Sequence, residues 1–242
     1  MKGEISVVDM RQMTEKLKED LTIDPKSTVV IAVDMHRGHL DPEVATQPVP
    51  PEESRRVIRN TVKLLQIVRK CGIPTIYVVL QFRSKPKPGA EQLSNPFWAS
   101  IDRVKESLTP GRKSTIRDHN LVGSVQVQII PEIAPGPNDY VIDNKKRLDS
   151  FYGTDLDILL RVLKVDTVII IGVNTNTCVL NAAFAAFNRD LKTIVISDCV
   201  ASMYGEDLHH FGLQNISRCL GWVLTVPEME ELLAGSNVNT QT

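Results

Sequence analysis

Stretches of unbroken, mostly β-branched apolar residues recur along the chain at Thr28–Val33 (TVVIAV), Pro74–Phe82 (PTIYVVLQF), Asp166–Val173 (DTVIIIGV) and Leu191–Ser197 (LKTIVIS). Runs without polar alternation predict strands buried on both faces, as in a parallel sheet. Asp139–Asn144 and the short Trp222–Thr225 complete the set, the latter as an edge strand. Between them the apolar positions switch to helical spacing. Glu53–Cys71 places Val57, Ile58, Val62, Leu65 and Val68 on one face and is closed by Gly72. Thr154–Leu163, with Thr154 as N-cap, Cys178–Arg189, Gly205–Cys219 and Pro227–Leu233 read as helices in the same way. Residues 7–20 form a short amphipathic helix that packs on the outside or against a partner subunit.

Strand and helix alternate, which predicts an α/β fold. The expected form is a three-layer α/β/α, Rossmann-like arrangement of six mostly parallel strands with helices on both faces. Right-handed crossovers connect them. The chain is read as a single domain over residues 1–242. Residues 40–52 form a loop or a lid. Residues 84–137 are the least regular part and are expected to be an insertion covering the site, with a helix near Asn95–Ser107 carrying Phe97, Trp98, Ile101 and Val104. Arg83–Gly89 is too rich in proline to be helical, and residues 235–242 read as a frayed tail.

Charge and composition narrow the partners. A net charge of −1 over 242 residues leaves no field to recruit nucleic acid or an anionic membrane surface. No stretch approaches the roughly 20 apolar residues of a membrane span, and the charged first 20 residues do not read as a signal peptide. The four cysteines, Cys71, Cys178, Cys199 and Cys219, form no CxxC pair. That argues against a zinc cluster or a disulfide framework and fits a reducing cytoplasm. No strand is followed by GxGxxG and there is no GxxxxGK[ST], which counts against a dinucleotide or nucleoside triphosphate. No cofactor is expected.

Candidate chemistry gathers at strand ends. The Asp166–Val173 strand breaks through Gly172, Asn174, Thr175 and Asn176 directly into Cys178. A thiol at a helix start faces the positive end of the peptide dipoles, and such sites can lower a cysteine pKa from about 8.5 into the range of roughly 3.5 to 7.5. Cys178 reads as a nucleophile, or else as a small buried apolar residue. Asp34 ends the Thr28–Val33 strand, where open α/β sheets place ligands; a loop-anchoring role is the alternative. Lys145 follows the Asp139–Asn144 strand. If these strands are neighbours, a carboxylate can take the thiol proton and an ammonium can orient that carboxylate and favour the thiolate. Backbone N–H groups of the turn before Cys178 can meet a developing oxyanion.

On these segments the chain resembles the isochorismatase-like superfamily, and within it the cysteine hydrolases that act on small amides, of the N-carbamoylsarcosine amidase and ureidoacrylate amidohydrolase kind. The resemblance rests on VVIAVDMHRGHLDP, on the K-x-R-x-x-x-F pattern of Lys145, Arg147 and Phe151, on GVNTNTC from Gly172 to Cys178, and on Asp198 in SDCVAS. It implies an Asp34–Lys145–Cys178 triad, the spacing to Phe151 selecting Lys145 over Lys146. It also implies a cis peptide between Val173 and Asn174, and an oxyanion hole from the backbone N–H groups of Asn174 and Cys178. The implied reaction is hydrolysis of a linear amide or ureido C–N bond through a covalent acyl or carbamoyl enzyme. Relatives are commonly dimers or tetramers, so a homo-oligomer is expected. The alternatives are the vinyl ether hydrolysis of true isochorismatases, which generally lack the cysteine, and a catalytically silent binding protein on the same fold.

Further residues are candidates for substrate contact: His36 at the pocket mouth, Arg83 for a substrate carboxylate, Asp149 for a cationic or amide N–H group, and Phe151 in the carried-over pattern. Phe82, Phe97 and Trp98 wall the pocket or fill the core. The nicotinamidase metal ligands are missing after the second strand, so no metal is expected; Asp34, His36 and His39 form only a weak ligand pattern. His209 and His210 are expected on the surface.

Overall fold

The computed structural model describes residues 8–83, 95–108 and 118–238, and the apolar runs become the strands of one sheet. In chain order the elements are α1 (Arg11–Glu19), β1 (Thr28–Val33), the single turn α2 (Arg37–Leu40), α3 (Pro51–Lys70), β2 (Thr75–Leu80), α4 (Pro96–Leu108), β3 (Tyr140–Lys145), α5 (Leu156–Val162), β4 (Thr167–Val173), α6 (Leu180–Phe187), β5 (Lys192–Ala201), α7 (Glu206–Cys219), β6 (Trp222–Leu224) and α8 (Val226–Val238). The sheet order is β3-β2-β1-β4-β5-β6, and every pairing is parallel.

Alternate residues of each central strand point to opposite layers. Val30, Ala32, Ile169 and Ile171 share a core with Val57 and Leu64 of α3 and Met229 of α8. Val29, Ile31, Val168 and Ile170 share the other core with Leu156 of α5, Ala182 of α6 and Ile216 of α7. Each such valine, leucine, isoleucine or methionine side chain contributes roughly 1.5–3 kcal/mol when fully buried. The central strands are covered on both sides, which is why their sequences show no polar alternation. The three-layer α/β/α expectation therefore holds.

The chain builds outward from β1 to β3, then returns to the other side of β1 and builds outward again. β1 and β4 meet at this reversal, where an open parallel sheet forms a crevice beyond its strand ends. Asp34 follows β1 and Cys178 follows β4.

Some boundaries differ from expectation. β5 continues to Ala201, past Ser197. Its pairing with β4 slips from Ile170 opposite Val195 to Gly172 opposite Val200. Arg56 of α3 donates to the carbonyls of Asp198 and Val200 at 2.9 Å each, satisfying groups that the slip leaves unpaired. α5 begins at Leu156, and Thr154 Oγ1 accepts from the Leu156 N–H at 3.3 Å while donating to the Ser150 carbonyl at 2.6 Å, so it supports the helix start from one residue earlier than the N-cap, Asp155. α8 runs to Val238, beyond the expected start of the tail; residues 239–242 lie outside the described residues. Of the expected 84–137 insertion, residues 84–94 and 109–117 also lie outside them. α1 buries no residue of its own but is tied to the sheet edge: Trp222 Nε1 donates to the Leu17 carbonyl at 2.7 Å, and Lys18 pairs with Glu228 at 2.7 Å. Among the described residues, no helix is long and apolar enough to cross a membrane.

Candidate active site

Three strand ends converge at the β1–β4 reversal. Asp34 takes φ +54°, in the left-handed region that non-glycine residues seldom occupy. Its Oδ1 accepts from the Leu80 backbone N–H at 3.0 Å. Its Oδ2 accepts from Lys145 Nζ. A register shift between Val78 and Leu80 brings Lys145 opposite Leu80, at the rim that Asp34 faces. Asp34 and Lys145 are both fully buried, so this is an ion pair removed from water. The Cys178 sulfur lies close enough to both that each perturbs its titration.

Cys178 sits on a tightly held turn. The Val173–Asn174 peptide is cis, as the resemblance implied. Thr175–Val179 then forms a single π-type turn before α6, so Cys178 precedes the regular helix. Gly172, at φ +122°, allows this path: a Cβ there would stand 2.0 Å from the Val33 carbonyl oxygen. Three side chains of the turn are anchored to the segment after β5. Asn174 Oδ1 accepts from Met203 N at 2.9 Å, Asn176 Oδ1 accepts from Ser202 Oγ at 2.7 Å, and Thr175 Oγ1 bonds His209 Nδ1 at 2.8 Å. His209 therefore supports the turn and is half-buried, contrary to the expected surface position.

The electrostatics differ from those expected of a helix-start thiol. Burial pushes Cys178 up to about 12; the Lys145 ammonium pulls it down and the Asp34 carboxylate pushes it up. With Cys178 only 3% exposed, loss of hydration outweighs the peptide dipoles. Burial alone would also disfavour the Lys145 ammonium, but Asp34 and Cys178 outweigh it and hold Lys145 above its ordinary value. The resting site is a neutral thiol beside an ion pair.

Cys178 opens onto a cavity of about 360 Å³. Asn174, Thr177 and Asn181 line it beside the sulfur, and Leu80 and Phe82 line the β2 side. Trp98 and Asn95 come from α4 and the residue before it, while His119 comes from the loop beyond. Phe82 holds that loop in place: its N–H donates to the Asn120 carbonyl at 2.8 Å, and Val122 N donates to the Phe82 carbonyl at 2.9 Å. Lys146, Arg147 and Asp149 form a charged wall, and Tyr152 and Tyr204 stand at the rim. Asp149 meets the cavity as expected, while its Oδ1 also accepts from Phe151 N at 2.8 Å.

Other candidates stand elsewhere. His36 is wholly buried behind His39, with ring centroids 4.9 Å apart, and does not reach the pocket mouth. Phe151 is a core residue with the Arg189 guanidinium 4.2 Å above its ring. Arg83 is exposed and outside the cavity wall, and Phe97 is 71% exposed and also outside it. His39, Gln47, His119 and Asn181 were missed as cavity residues. Asn181 stands one turn beyond Cys178 on α6, while His39, Gln47 and His119 are distant in sequence and meet Cys178 only in the folded chain. Among the described residues, His, Cys, Asp and Glu side chains assemble no metal ligand set of three.

This fold, with a buried Asp–Lys pair and a cysteine at the β1–β4 reversal, defines an isochorismatase-like cysteine hydrolase. The chain belongs to the isochorismatase domain family, which matches residues 28–228. It is similar to the ureidoacrylate amidohydrolase RutB of Methylobacterium radiotolerans, 28% identical over 218 residues that cover 89% of this chain and 83% of the relative. A solved cysteine hydrolase from Pseudomonas syringae pv. phaseolicola is 26% identical with a TM-score of 0.72, covering 89% of this chain and 96% of that one. The N-carbamoylsarcosine amidase of Thermoplasma acidophilum shares the fold at 24% identity and a TM-score of 0.61, over 83% of this chain and 96% of that one.

Proposed function

We propose that the protein hydrolyses the C–N bond of a small linear amide or ureido compound, with Cys178 as nucleophile, Asp34 as general base and Lys145 as the group that orients Asp34. The observation that carries this reading is the contact of the cavity with Cys178 directly above the buried Asp34–Lys145 pair. As the sulfur attacks the carbonyl carbon, Asp34 accepts the thiol proton. Lys145 remains an ammonium and stabilises the sulfur's negative charge before the C–S bond is complete. The carbonyl oxygen becomes an oxyanion held by the backbone N–H groups of Asn174 and Cys178. One donor of this type is worth about 2.7–4 kcal/mol in the transition state. The C–N bond breaks as Asp34 returns the proton to the leaving nitrogen. A water then loses a proton to Asp34 and attacks the acyl or carbamoyl thioester, and the thiolate departs and is reprotonated.

The high resting pKa suits this sequence. The thiol is deprotonated within the reaction rather than stored as a thiolate. Vinyl ether hydrolysis requires proton delivery to carbon and gives no role to a thiol at the cavity floor, so the amide reading is favoured. The charged wall of Lys146, Arg147 and Asp149 supports a polar, acid-bearing substrate. Exposed Ile158, Val162, Phe184 and Phe187 support association with further copies, and four free cysteines support a reducing compartment.

A panel of primary amides and carbamoylated amino acids, assayed for ammonia release, tests the reading. We expect turnover of at least one class and a transient acyl or carbamoyl adduct at Cys178 by intact mass. Cys178→Ser retains the melting temperature and loses turnover. Sustained ammonia release by that variant would exclude covalent catalysis at this residue.

A further inference from the structure

His39 sits in α2, is only 4% exposed and forms part of the cavity wall. Its Nδ1 lies 3.3 Å from the Gln47 carbonyl oxygen. A carbonyl can only accept, so Nδ1 carries the proton. The ring is neutral: burial disfavours the imidazolium, and the Lys145 ammonium adds to this against the pull of Asp34 and the Gln47 carbonyl. Nε2 is then a bare lone pair. Among the described residues it has no hydrogen-bond partner, and neither has the side-chain nitrogen of Gln47, itself buried and in the same wall.

Two buried polar atoms of opposite kind, on two residues that line the same cavity, thus stand unmatched. Leaving such groups unpaired is unfavourable unless a ligand answers them. His39, Gln47 and Cys178 line the same cavity, so the acceptor shares one space with the carbon under attack. The attacked carbonyl oxygen is assigned to the backbone N–H groups of Asn174 and Cys178, so it does not occupy this wall. What fits the wall is a nitrogen-bound hydrogen next to the reacting carbon, with an oxygen further along to receive the Gln47 amide.

We infer that His39 Nε2 accepts a hydrogen bond from the N–H of the acid-bearing ureido nitrogen, with Gln47 donating to an oxygen of the acid beyond it, so that the preferred substrates are N–H ureido acids rather than ones alkylated at that nitrogen. This rests on the hydrolase reading above. His36 and His119 hold the ring: His36 packs against it at a 31° tilt, and His119 meets it edge-on with centroids 5.0 Å apart. The wall is therefore a built feature and not a loose loop.

The probes are N-carbamoylglycine, which has the N–H, and N-carbamoylsarcosine, which carries a methyl group in its place. The wild-type protein is expected to favour the first by about tenfold to hundredfold in kcat/KM for ammonia release, the range for an unpaired buried acceptor. His39→Phe keeps the ring packing and removes the acceptor; its ratio should fall to near one through loss of the N-carbamoylglycine rate. His39→Asn, which retains an accepting oxygen, should keep part of the preference and serves if the phenylalanine variant does not fold. Equal wild-type rates on the two probes, or an unchanged ratio in a folded His39→Phe protein, would overturn the inference. So would inertness towards both probes while a primary amide of the panel is turned over. Only inertness to the whole panel removes the hydrolase reading as well.

Discussion

At the scale of single residues, the neutral resting thiol makes the clearest prediction. A group held near 12 is almost entirely protonated at neutral pH. Iodoacetamide modification of Cys178 in the ligand-free protein should therefore rise about tenfold per pH unit from pH 6 to 9, with no plateau. Peptide mapping after timed alkylation reads this, and a plateau below pH 7 would mean a stored thiolate. The ion pair beneath makes a second prediction. Lys145→Met leaves the Asp34 carboxylate buried without its counter-charge, which should lower stability by about 3–5 kcal/mol in urea unfolding. Adding Asp34→Asn removes the stranded charge, so the double variant should regain most of that loss while remaining inactive. Asp34 was legible in the sequence because it ends an apolar run, and Lys145 and Cys178 through the K-x-R-x-x-x-F and GVNTNTC patterns. The pKa direction at Cys178 was not, because it depends on how completely the folded chain excludes water from the sulfur.

At the scale of elements, the turn between β4 and α6 depends on one close approach and three tethers. Gly172→Ala would drive a methyl group against the Val33 carbonyl at a backbone angle that L-residues rarely adopt. We expect a loss of more than about 1 kcal/mol in stability, together with lost turnover, because the same displacement moves Cys178. His209→Phe removes the bond to Thr175 and should lower stability by about 0.5–1.5 kcal/mol, with kcat falling more than KM rises, since His209 does not line the cavity. Steady-state kinetics on the best substrate of the panel separates these effects. The elements themselves were largely readable, because parallel strands covered on both faces must be apolar throughout. The end of β5 was not: Ser197 and Asp198 look like a strand terminus, yet Arg56, far away on α3, caps the irregularity and lets pairing resume. His209 was misjudged for a related reason. Its partner Thr175 lies on a different element, and helical periodicity reports nothing about such contacts.

At the scale of the whole molecule, titration sets opposite limits on stability. His36, His39 and His209 are held below their ordinary 6.5, mainly by burial. As pH falls through 6.5 the unfolded chain takes up protons that the folded chain refuses, so stability falls. Cys178 and Cys199 are both pushed by burial from 9.0 to about 12. As pH rises above 9 the unfolded chain releases protons that the folded chain keeps, so stability falls there too. The melting temperature should be highest between about pH 6.5 and 9 and decline on both sides; scanning calorimetry across pH 5–11 checks this, and Cys178→Ser should flatten the alkaline limb. The layered architecture was readable from alternation alone. The cavity was not, since its walls combine helix, strand and loop residues distant in sequence that meet only in three dimensions.

The strand order has one more consequence. Because the sheet grows outward twice from its centre, everything up to β3 is one contiguous half carrying Asp34 and Lys145, and everything from β4 onward is another carrying Cys178. Between them lies an exposed bend at Tyr152 and Gly153. A polypeptide severed at that bend would yield one fragment with the acid–base pair and another with the sulfur. On the proposed mechanism neither would turn over substrate alone, and ammonia release would begin only when the two fragments reassociate along the β1–β4 seam, which would suit the protein to use as a split reporter of molecular proximity.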